Sequence, residues 1–306
     1  MNQAATTVLM IRPASFGYNA ETAASNAFQS TIALSQKQIQ QKALEEFDNF
    51  VQILRSKKIE VIVLEDTPQP LKPDAVFPNN WFCTLHDATI VLFPMQAANR
   101  RMEKRADLLE MLQKNYRVEN VEDLSSYEAD NIFLESTGSM IMDHYAKIIY
   151  ACISPRTHNK VLQLFATLHG YKVTMFYSKD ETGVEIYHTN VMMHIGKTYA
   201  VICLESIIDD TEKIAVSRLI STTGHEIIPI TLQQVHAFAG NMLQVKNMGG
   251  EYFTILSKQA HQSLTANQIS TLQSHTNLLP VNISTIETVG GGSVRCMMAE
   301  IFLQKK

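Results

Sequence analysis

The sequence lacks several features that would place it in a special class of protein. It has no long basic block, and its 26 Lys and Arg residues against 30 Asp and Glu give a formal net charge of -4. Nucleic acid is therefore not expected as a partner. Its longest apolar runs, such as "AKIIYACI" and "TYAVICLESII", fall short of the ~20 residues that a membrane helix needs. The start of the chain shows no secretion signal, so we expect a cytoplasmic protein without a membrane span.

Cysteine is scarce and widely scattered. Cys83, Cys152, Cys203 and Cys296 form no CxxC pair and no His/Cys ligand spacing. This pattern predicts free thiols and neither a disulfide framework nor a metal site, and no cofactor is expected. Low-complexity tracts and long linkers are also absent, so residues 1–306 are expected to form a single domain.

The pattern that is present is typical of a mixed α/β protein. Apolar residues recur at three-to-four spacing in three helical stretches, and each of these is followed by a short extended run. The helical stretches are "SQKQIQQKALEEFDNFVQILRSK", "ANRRMEKRADLLEMLQKN" and "SPRTHNKVLQLFATLHG", and the extended runs are "IEVIVLE", "YRVENVE" and "KVTMFY".

A repeat of about fifty residues runs along the chain. Asn80, Glu135, Asn190, Asn241 and Cys296 each lie near the start of a strand-like pair and are separated by 55, 55, 51 and 55 residues. Five units, each a β-hairpin, a helix and a return strand, would form a closed ring with these polar residues at its centre. A small-molecule site is expected there. The alternative is that the spacing is a coincidence common in α/β chains.

Cys296 is the candidate nucleophile. A cysteine attacks as the thiolate, which needs a base or a positive field close by, and Arg295 together with the preceding "GGGS" supplies part of that setting. Glycines in this number indicate a loop that approaches a ligand closely. Taken alone, a cysteine before an apolar run is also typical of a core residue.

Two further segments offer partners for this thiol. In "YHTNVMMHIG", His188 and Asn190 would face the same side of a strand, and His188 could act as general acid and base. In "DNIFLESTGS", Glu135 lies in an apolar strand and needs a partner, for which a histidine is suitable. The alternatives are a structural histidine and a half-exposed strand glutamate.

These motifs together resemble the guanidine-modifying, or amidinotransferase, superfamily, which includes arginine deiminase and dimethylarginine dimethylaminohydrolase. The resemblance rests on "LESTGS", "ISPRT", "HTN" and "GGGSVRC", in this order along the chain. It implies the pentein fold, a five-bladed pseudo-symmetric ββαβ propeller. It also implies a covalent mechanism in which Cys296 is the nucleophile, His188 the acid and base, and Glu135 the acid that orients the histidine.

The chain departs from that superfamily where carboxylates commonly hold a guanidinium. Asn79 and Asn80 stand at the first such place, Asn190 stands at the second, and Asn241 is neutral too. An unpaired cation is costly to bury, whereas an amide offers donors and an acceptor without charge. The pattern therefore favours a ureido substrate, with citrulline as the candidate. The chain resembles the citrulline-utilisation hydrolases within the superfamily.

The predicted activity is the hydrolysis of citrulline to ornithine, ammonia and carbon dioxide. For the amino-acid end of the substrate, the resemblance points to Arg156 and to Arg100 or Arg101, since arginine can bind a carboxylate bidentately. Two alternatives stay open: an arginine deiminase or dimethylarginine dimethylaminohydrolase on the same scaffold, and a non-catalytic propeller that binds a partner. The sequence does not give the oligomeric state, and a homodimer is compatible with it.

Overall fold

Five small sheets with one common topology form the framework of the protein. The computed structural model describes residues 2–23 and 25–306. In every sheet the central strand pairs antiparallel with one neighbour and parallel with the other. The sheets are β15 (Ala299–Ile301), β1 (Thr7–Arg12) and β2 (Glu60–Glu65); β3 (Phe82–Thr84), β4 (Thr89–Leu92) and β5 (Asn120–Asp123); β6 (Ile141–Asp143), β7 (Ile148–Cys152) and β8 (Lys172–Phe176); β9 (Met193–Ile195), β10 (Tyr199–Ile202) and β11 (Glu226–Pro229); and β12 (Leu243–Lys246), β13 (Tyr252–Ser257) and β14 (Asn277–Val281).

The helices connect these strands in a regular way. Parallel neighbours need a crossover connection, and in each sheet a helix lies between the central strand and its parallel partner in the chain. These crossover helices are α2 (Gln36–Ser56), α4 (Ala106–Asn115), α6 (Asn159–His169), α7 (Asp210–Thr222) and α10 (Ala266–His275). The other helices are α1 (Ala20–Ala23), α3 (Ala98–Arg101), α5 (Ser136–Ser139), α8 (Leu232–His236), α9 (Lys258–Ser263) and α11 (Ser284–Gly290).

Helix α2 shows why the predicted helices form. Ser35 and Gln38 make a reciprocal capping box that satisfies free amides at the helix start. Phe47, Phe50 and Leu54 then lie on one face of the helix and are fully buried. The helix predicted from residues 35–57 is therefore confirmed.

One predicted helical stretch is divided in the structure. "ANRRMEKRADLLEMLQKN" forms α3 and α4, with the chain extended at Arg105 between them. Arg100 and Glu103 turn inward at this break and form a buried ion pair. A straight helix would have carried these charges along its solvated face, so the break brings an arginine into the interior.

The sheet made of β15, β1 and β2 joins distant parts of the sequence. β15 pairs with β1, so the "GGSVRCMMAEIFL" segment completes a sheet with the N-terminal strand and does not form a hairpin of its own. Adjacent sheets pack through the strands that begin them: β15 contacts β3, and β9 contacts both β6 and β12. Across residues 2–23 and 25–306, no helix combines the length and hydropathy needed to cross a membrane.

Candidate active site

The five polar positions of the sequence repeat lie in turns, each directly before the strand that begins its sheet. Asn80 precedes β3, Glu135 precedes β6, Asn190 precedes β9, Asn241 precedes β12 and Cys296 precedes β15. Because the sheets share one topology, these turns occupy equivalent places in the five units.

The strand assignments made for two of these segments are wrong. Glu135 lies at the start of the short helix α5, and His188 lies directly before a 3₁₀ turn over Thr189–Val191. The alternation of a strand does not apply in such a turn, so His188 and Asn190 do not share a face. His188 contacts Glu135, whereas Asn190 contacts the Cys296 sulfur.

Hydrogen bonds join the turns in chain order. Asn79 Nδ2 donates to Thr137 Oγ1 (3.2 Å), Thr189 Oγ1 to the Ser139 carbonyl (2.6 Å), Asn241 Nδ2 to the Asn190 carbonyl (2.9 Å), and the Arg295 amide to Asn241 Oδ1 (3.0 Å). The β15 strand also contacts the turn that contains Asn80. The structure thus brings the five predicted positions together.

A small cavity of about 20 Å³, with room for about one water molecule, lies over these turns. Polar and charged groups make up much of its wall. It is lined by Thr22, Asn26, Asp74, Phe77, Asn80, Arg100, Arg156, Tyr187, His188, Gly290, Gly291, Gly292 and Cys296.

The glycine segment forms one wall of the cavity and is tightly packed. Gly291 has φ +64°, in the left-handed region, and a Cβ there would lie 2.6 Å from Asn26 Nδ2. A Cβ at Gly290 or Gly292 would lie 2.9 Å from the Phe77 ring. The prediction of a loop shaped for close approach therefore fits, but the approach in the structure is to the protein's own side chains.

His188 and Glu135 form a buried pair at the cavity floor. His188 Nε2 lies 2.8 Å from Glu135 Oε2, and the other Glu135 oxygen accepts the Gln96 amide at 3.0 Å. Burial works to raise the pKa of Glu135, but Arg156, 3.5 Å away, and His188 outweigh it and hold the pKa well below the usual range. Glu135 is therefore an ionised hydrogen-bond acceptor at neutral pH.

The protonation of His188 follows from this pair. Burial lowers the pKa of His188 to about 4, although Glu135 opposes the shift. The imidazole is then neutral at pH 7, and the carboxylate beside Nε2 favours the proton on that nitrogen, although the 2.8 Å contact is not aligned for a hydrogen bond. Its Nδ1 is left with a free lone pair, and this side of the ring lies beside Gly138 and Asn80 at the cavity. Such an imidazole can act as a general base.

Cys296 faces two amide groups. Its Sγ lies 3.4 Å from Asn190 Nδ2 and 3.4 Å from Asn241 Nδ2. The Asn241 amide is held in this orientation because its Oδ1 accepts the Arg295 backbone amide. Two N–H donors suit a sulfur that carries negative charge.

The remaining cysteines lie in the hydrophobic core, as predicted. Cys83, Cys152 and Cys203 are buried and free. Burial raises the pKa of Cys152 to about 12 and that of Cys203 to about 11. Their thiols are therefore unreactive at neutral pH.

Among the predicted arginines, Arg156 lines the cavity, whereas Arg101 and Arg295 do not. Arg156 donates to Ser25 Oγ at 2.6 Å, and its guanidinium lies 4.7 Å from the centre of the Tyr187 ring. Arg101 is wrong as a cavity residue, because its guanidinium turns outward to the Met95 and Gln96 carbonyls. Arg295 is wrong too: its guanidinium binds Glu300 and the Met298 carbonyl.

Asn79 and Asn80 also differ in whether they line the cavity. Asn80 lines the cavity, and its Oδ1 accepts a hydrogen bond of 3.0 Å from Arg100 Nη1. Asn79 instead points to Thr137, away from the cavity. Asn190 and Asn241 lie behind the sulfur and do not line the open space.

Asp74 is a cavity residue that sequence reasoning missed. It accepts from Asn19 Nδ2 at 2.7 Å, lies 3.8 Å from Arg100, and has an Oδ1 without a partner among the described residues. Burial raises its pKa despite Arg100. The signal available in the sequence was an acid in "KPDAVF", six residues upstream of Asn80 and next to apolar residues.

Solved structures share this fold. A cyanobacterial arginine dihydrolase, ArgZ, in its apo form has a TM-score of 0.74 at 15% identity, over 96% of this chain and 40% of its own. The N-terminal domain of ArgZ, as a cysteine-to-serine variant bound to substrate, has a TM-score of 0.73 at 15% identity, over 96% and 98%. A dimethylarginine dimethylaminohydrolase adduct with S-methyl-L-thiocitrulline has a TM-score of 0.65 at 13% identity, over 97% and 100%. The chain thus spans about two fifths of full-length ArgZ.

These likenesses show the fold, and together with the family match that follows they confirm the superfamily predicted from the sequence. Residues 12–303 match the family model for eukaryotic N,N dimethylarginine dimethylhydrolase. The chain belongs to this family, whose name describes hydrolases of carbon–nitrogen bonds. No curated protein sequence matches the chain.

Proposed function

We propose that the protein hydrolyses the ureido group of citrulline to give ornithine, ammonia and carbon dioxide. The observation that carries this proposal is the set of amide groups around the nucleophile. Asn190 and Asn241 contact the Cys296 sulfur, and Asn80 lines the same cavity. A guanidinium in this place would need a carboxylate to offset the cost of its burial. A ureido group is neutral and needs only hydrogen bonds.

The carboxylates near the site already have cationic partners. Glu135 pairs with His188 and Arg156, and Glu103 pairs with Arg100. Asp74 is the one carboxylate among the described residues that line the cavity, and it lies against Arg100.

The other end of the cavity suits the backbone groups of an amino acid. In the proposed arrangement Arg156 binds the α-carboxylate, whereas the Arg100 guanidinium is already held by Glu103, Asn80 and the Phe77 carbonyl. Asp74 presents an oxygen without a partner among the described residues, and an α-ammonium group would supply one. The raised pKa of Asp74 is consistent with a carboxyl that lacks sufficient positive charge until the substrate binds.

The first half of the reaction forms a covalent intermediate. His188 takes the thiol proton of Cys296 at Nδ1, and the sulfur attacks the ureido carbon. The proton on His188 then passes to the departing amine as its carbon–nitrogen bond breaks, which leaves a carbamoyl-type thioester. The ionised Glu135 carboxylate, 2.8 Å from Nε2, keeps the imidazole oriented and stabilises its charged form.

The second half releases the intermediate. His188 takes a proton from water while the water oxygen attacks the thioester carbon. The carbon–sulfur bond breaks, and the proton returns to the Cys296 sulfur. The carbamate that results loses carbon dioxide and leaves the second amine. One citrulline and one water thus give one ornithine, one ammonia and one carbon dioxide.

The experiment that tests this function is a substrate panel with purified protein. Ornithine, citrulline, ammonia and dimethylamine are measured with citrulline, arginine and asymmetric dimethylarginine as substrates, and Cys296→Ser serves as the control. We expect equal amounts of ornithine and ammonia from citrulline, far slower turnover of the guanidino compounds, and no turnover by Cys296→Ser. Faster hydrolysis of arginine or dimethylarginine would contradict the substrate.

Guanidino compounds are the second candidate substrates because of the family match. The family model names dimethylarginine, and ArgZ is described as an arginine dihydrolase. A non-catalytic binding protein is the alternative of another class. It is separated by thiol labelling, in which a nucleophile at Cys296 reacts selectively and is protected by citrulline.

The proposal includes a closed arrangement of the five sheets. Their common topology, the hydrogen bonds between successive turns and the contact between β15 and β3 support a five-bladed ββαβ propeller. In this arrangement one domain surrounds a central axis, and the catalytic residues lie at one end of that axis.

A further inference from the structure

A buried network behind the cavity holds the side chain of Asn80. Arg100 donates from Nε to Glu103 Oε1 at 2.8 Å and from Nη2 to Glu103 Oε2 at 2.9 Å. It also donates from Nη2 to the Phe77 carbonyl at 3.2 Å and from Nη1 to Asn80 Oδ1 at 3.0 Å. Arg100, Glu103 and Asn80 are each 3% exposed. The guanidinium is therefore fixed by a bidentate pair on one edge and by Asn80 on the other.

This network fixes which end of the Asn80 amide faces the cavity. A guanidinium has donors only, so the Asn80 atom that it contacts must be the carbonyl oxygen. The amide nitrogen Nδ2 then points the other way, and it is buried without a hydrogen-bond partner among the described residues. A Cβ on Gly138 would lie 2.3 Å from this nitrogen and 2.9 Å from the His188 ring. Nδ2 is thus beside the general base.

We propose that Glu103, acting through Arg100, orients Asn80 so that its Nδ2 donates to the ureido oxygen and determines specificity for a carbonyl over an imine nitrogen. This inference rests on the proposed function. Attack of sulfur on the ureido carbon moves an electron pair onto the carbonyl oxygen. A fixed N–H donor at that oxygen stabilises the charge that develops there.

The same donor disfavours a guanidinium. Every nitrogen at the reacting end of a guanidinium carries hydrogen, so Asn80 Nδ2 would face another donor. Rotation of the Asn80 amide by half a turn would present Oδ1 to such a group, but it would place the amide NH₂ against Arg100 Nη1. The Glu103 pair keeps Arg100 in place and makes that rotation unfavourable.

Glu103 is a positioning residue in this scheme, and Asn80 touches the substrate. Glu103→Gln keeps the shape of the side chain but replaces one acceptor oxygen by a donor, which faces an Arg100 N–H. Glu103→Asp keeps the charge with a shorter side chain. Asn80→Ala removes the donor itself. Asp107→Asn is the matched control, because Asp107 pairs with Arg105 at the surface and does not contact this network.

The test compares citrulline with thiocitrulline, whose sulfur is a weak hydrogen-bond acceptor. The ratio of kcat/KM for the two substrates is measured in the wild-type protein and in each variant, with circular dichroism as a check on folding. We expect Asn80→Ala and Glu103→Gln to reduce the ratio at least tenfold, mainly through kcat for citrulline. Glu103→Asp should recover part of the loss, and Asp107→Asn should match the wild type.

The outcomes separate this inference from the proposed function. If wild-type protein does not hydrolyse citrulline, the proposed function fails and the inference fails with it. If wild type does so but a folded Asn80→Ala keeps the wild-type ratio, only the inference is overturned. If Glu103→Gln does not fold, Asn80→Ala decides the role of the donor and Glu103→Asp decides the role of the carboxylate. An unchanged ratio in a folded Glu103→Gln together with a full loss in Asn80→Ala would remove Glu103 from the scheme.

Discussion

A methyl group at Gly138 should inactivate the site without unfolding the protein. Gly138 lies in α5 and lacks a left-handed φ, so alanine is compatible with its backbone. The new Cβ would lie 2.3 Å from Asn80 Nδ2 and 2.9 Å from the His188 ring, whereas ordinary contact begins near 3.4 Å. The amide must therefore move by about 1 Å and the imidazole by about half as much.

Such a displacement is large for catalysis and small for packing. A misplacement of about 1 Å at reacting groups can cost roughly 100-fold in rate. Gly138→Ala is therefore expected to reduce kcat for citrulline by about that factor. KM should change less, because Arg156 and Asp74 bind the far end of the substrate in the proposed arrangement.

The assay is steady-state ornithine formation, with thermal unfolding measured on the same samples. Gly249→Ala is the control, since Gly249 is exposed and its Cβ would come no closer than 3.3 Å, to the side chain of Asn247. Wild-type kcat in a folded Gly138→Ala protein would refute the placement of Asn80 and His188 beside this glycine as the reacting groups.

Three further outcomes follow from the charges of the site and of the core. Arg156→Lys should raise KM for citrulline roughly 10- to 100-fold, since a charged hydrogen bond is worth about 1.5–3 kcal/mol. Arg101→Lys is the control, because Arg101 lies away from the cavity, and it should leave KM unchanged. Burial lowers the pKa of His188 to about 4, so kcat/KM for citrulline should stay constant as the pH is lowered from 8 to about 5 and should then fall. A fall in kcat/KM that already begins near pH 6.5 would contradict a buried neutral base. Burial also lowers the pKa of His194 to about 3 from 6.5. As pH falls through 6.5, the unfolded state binds a proton and the native state does not, so the free energy of unfolding should drop by about 1 kcal/mol for this residue at pH 5.5. Urea unfolding at pH 7.5 and 5.5 should show a smaller drop in His194→Gln, and an equal drop would exclude His194 as the source.

Much of the framework could be predicted from local pattern. The three-to-four spacing and the capping residues of α2 and α6 define these helices in the sequence. The repeat placed Asn80, Glu135 and Cys296 at equivalent points because one topology recurs. The crossover helix of each sheet also follows from the parallel pairing that the repeat implies.

The direction of individual side chains could not be predicted in this way. One residue of shift separates Asn79 from Asn80 and Arg100 from Arg101, and in a tight turn that shift rotates the side chain by about 100° or more. The periodicity of the sequence is satisfied by either choice. The direction that each side chain takes depends on its tertiary partner, which is Thr137 for Asn79 and Glu103 for Arg100.

Residues far apart in the sequence are the other source of error. Asp74 gains its role from Asn19, and Arg156 contacts Ser25. Neither contact leaves a periodic signal. The pairing of β15 with β1 is of the same kind, and a hairpin was expected there instead.

That pairing also determines the order in which the site can be assembled. The antiparallel pairing of β15 with β1 consists of three residue pairs, from Thr7 with Ile301 to Leu9 with Ala299. It closes a loop of about 290 residues, and contacts of such long range form late in folding. Cys296 lies directly before β15, so the nucleophile reaches His188 only when this most distant pairing is in place. Catalytic activity is therefore expected to arise late in folding. Because the pairing of β15 with β1 is short, activity is also expected to be one of the first properties lost when the native state opens locally.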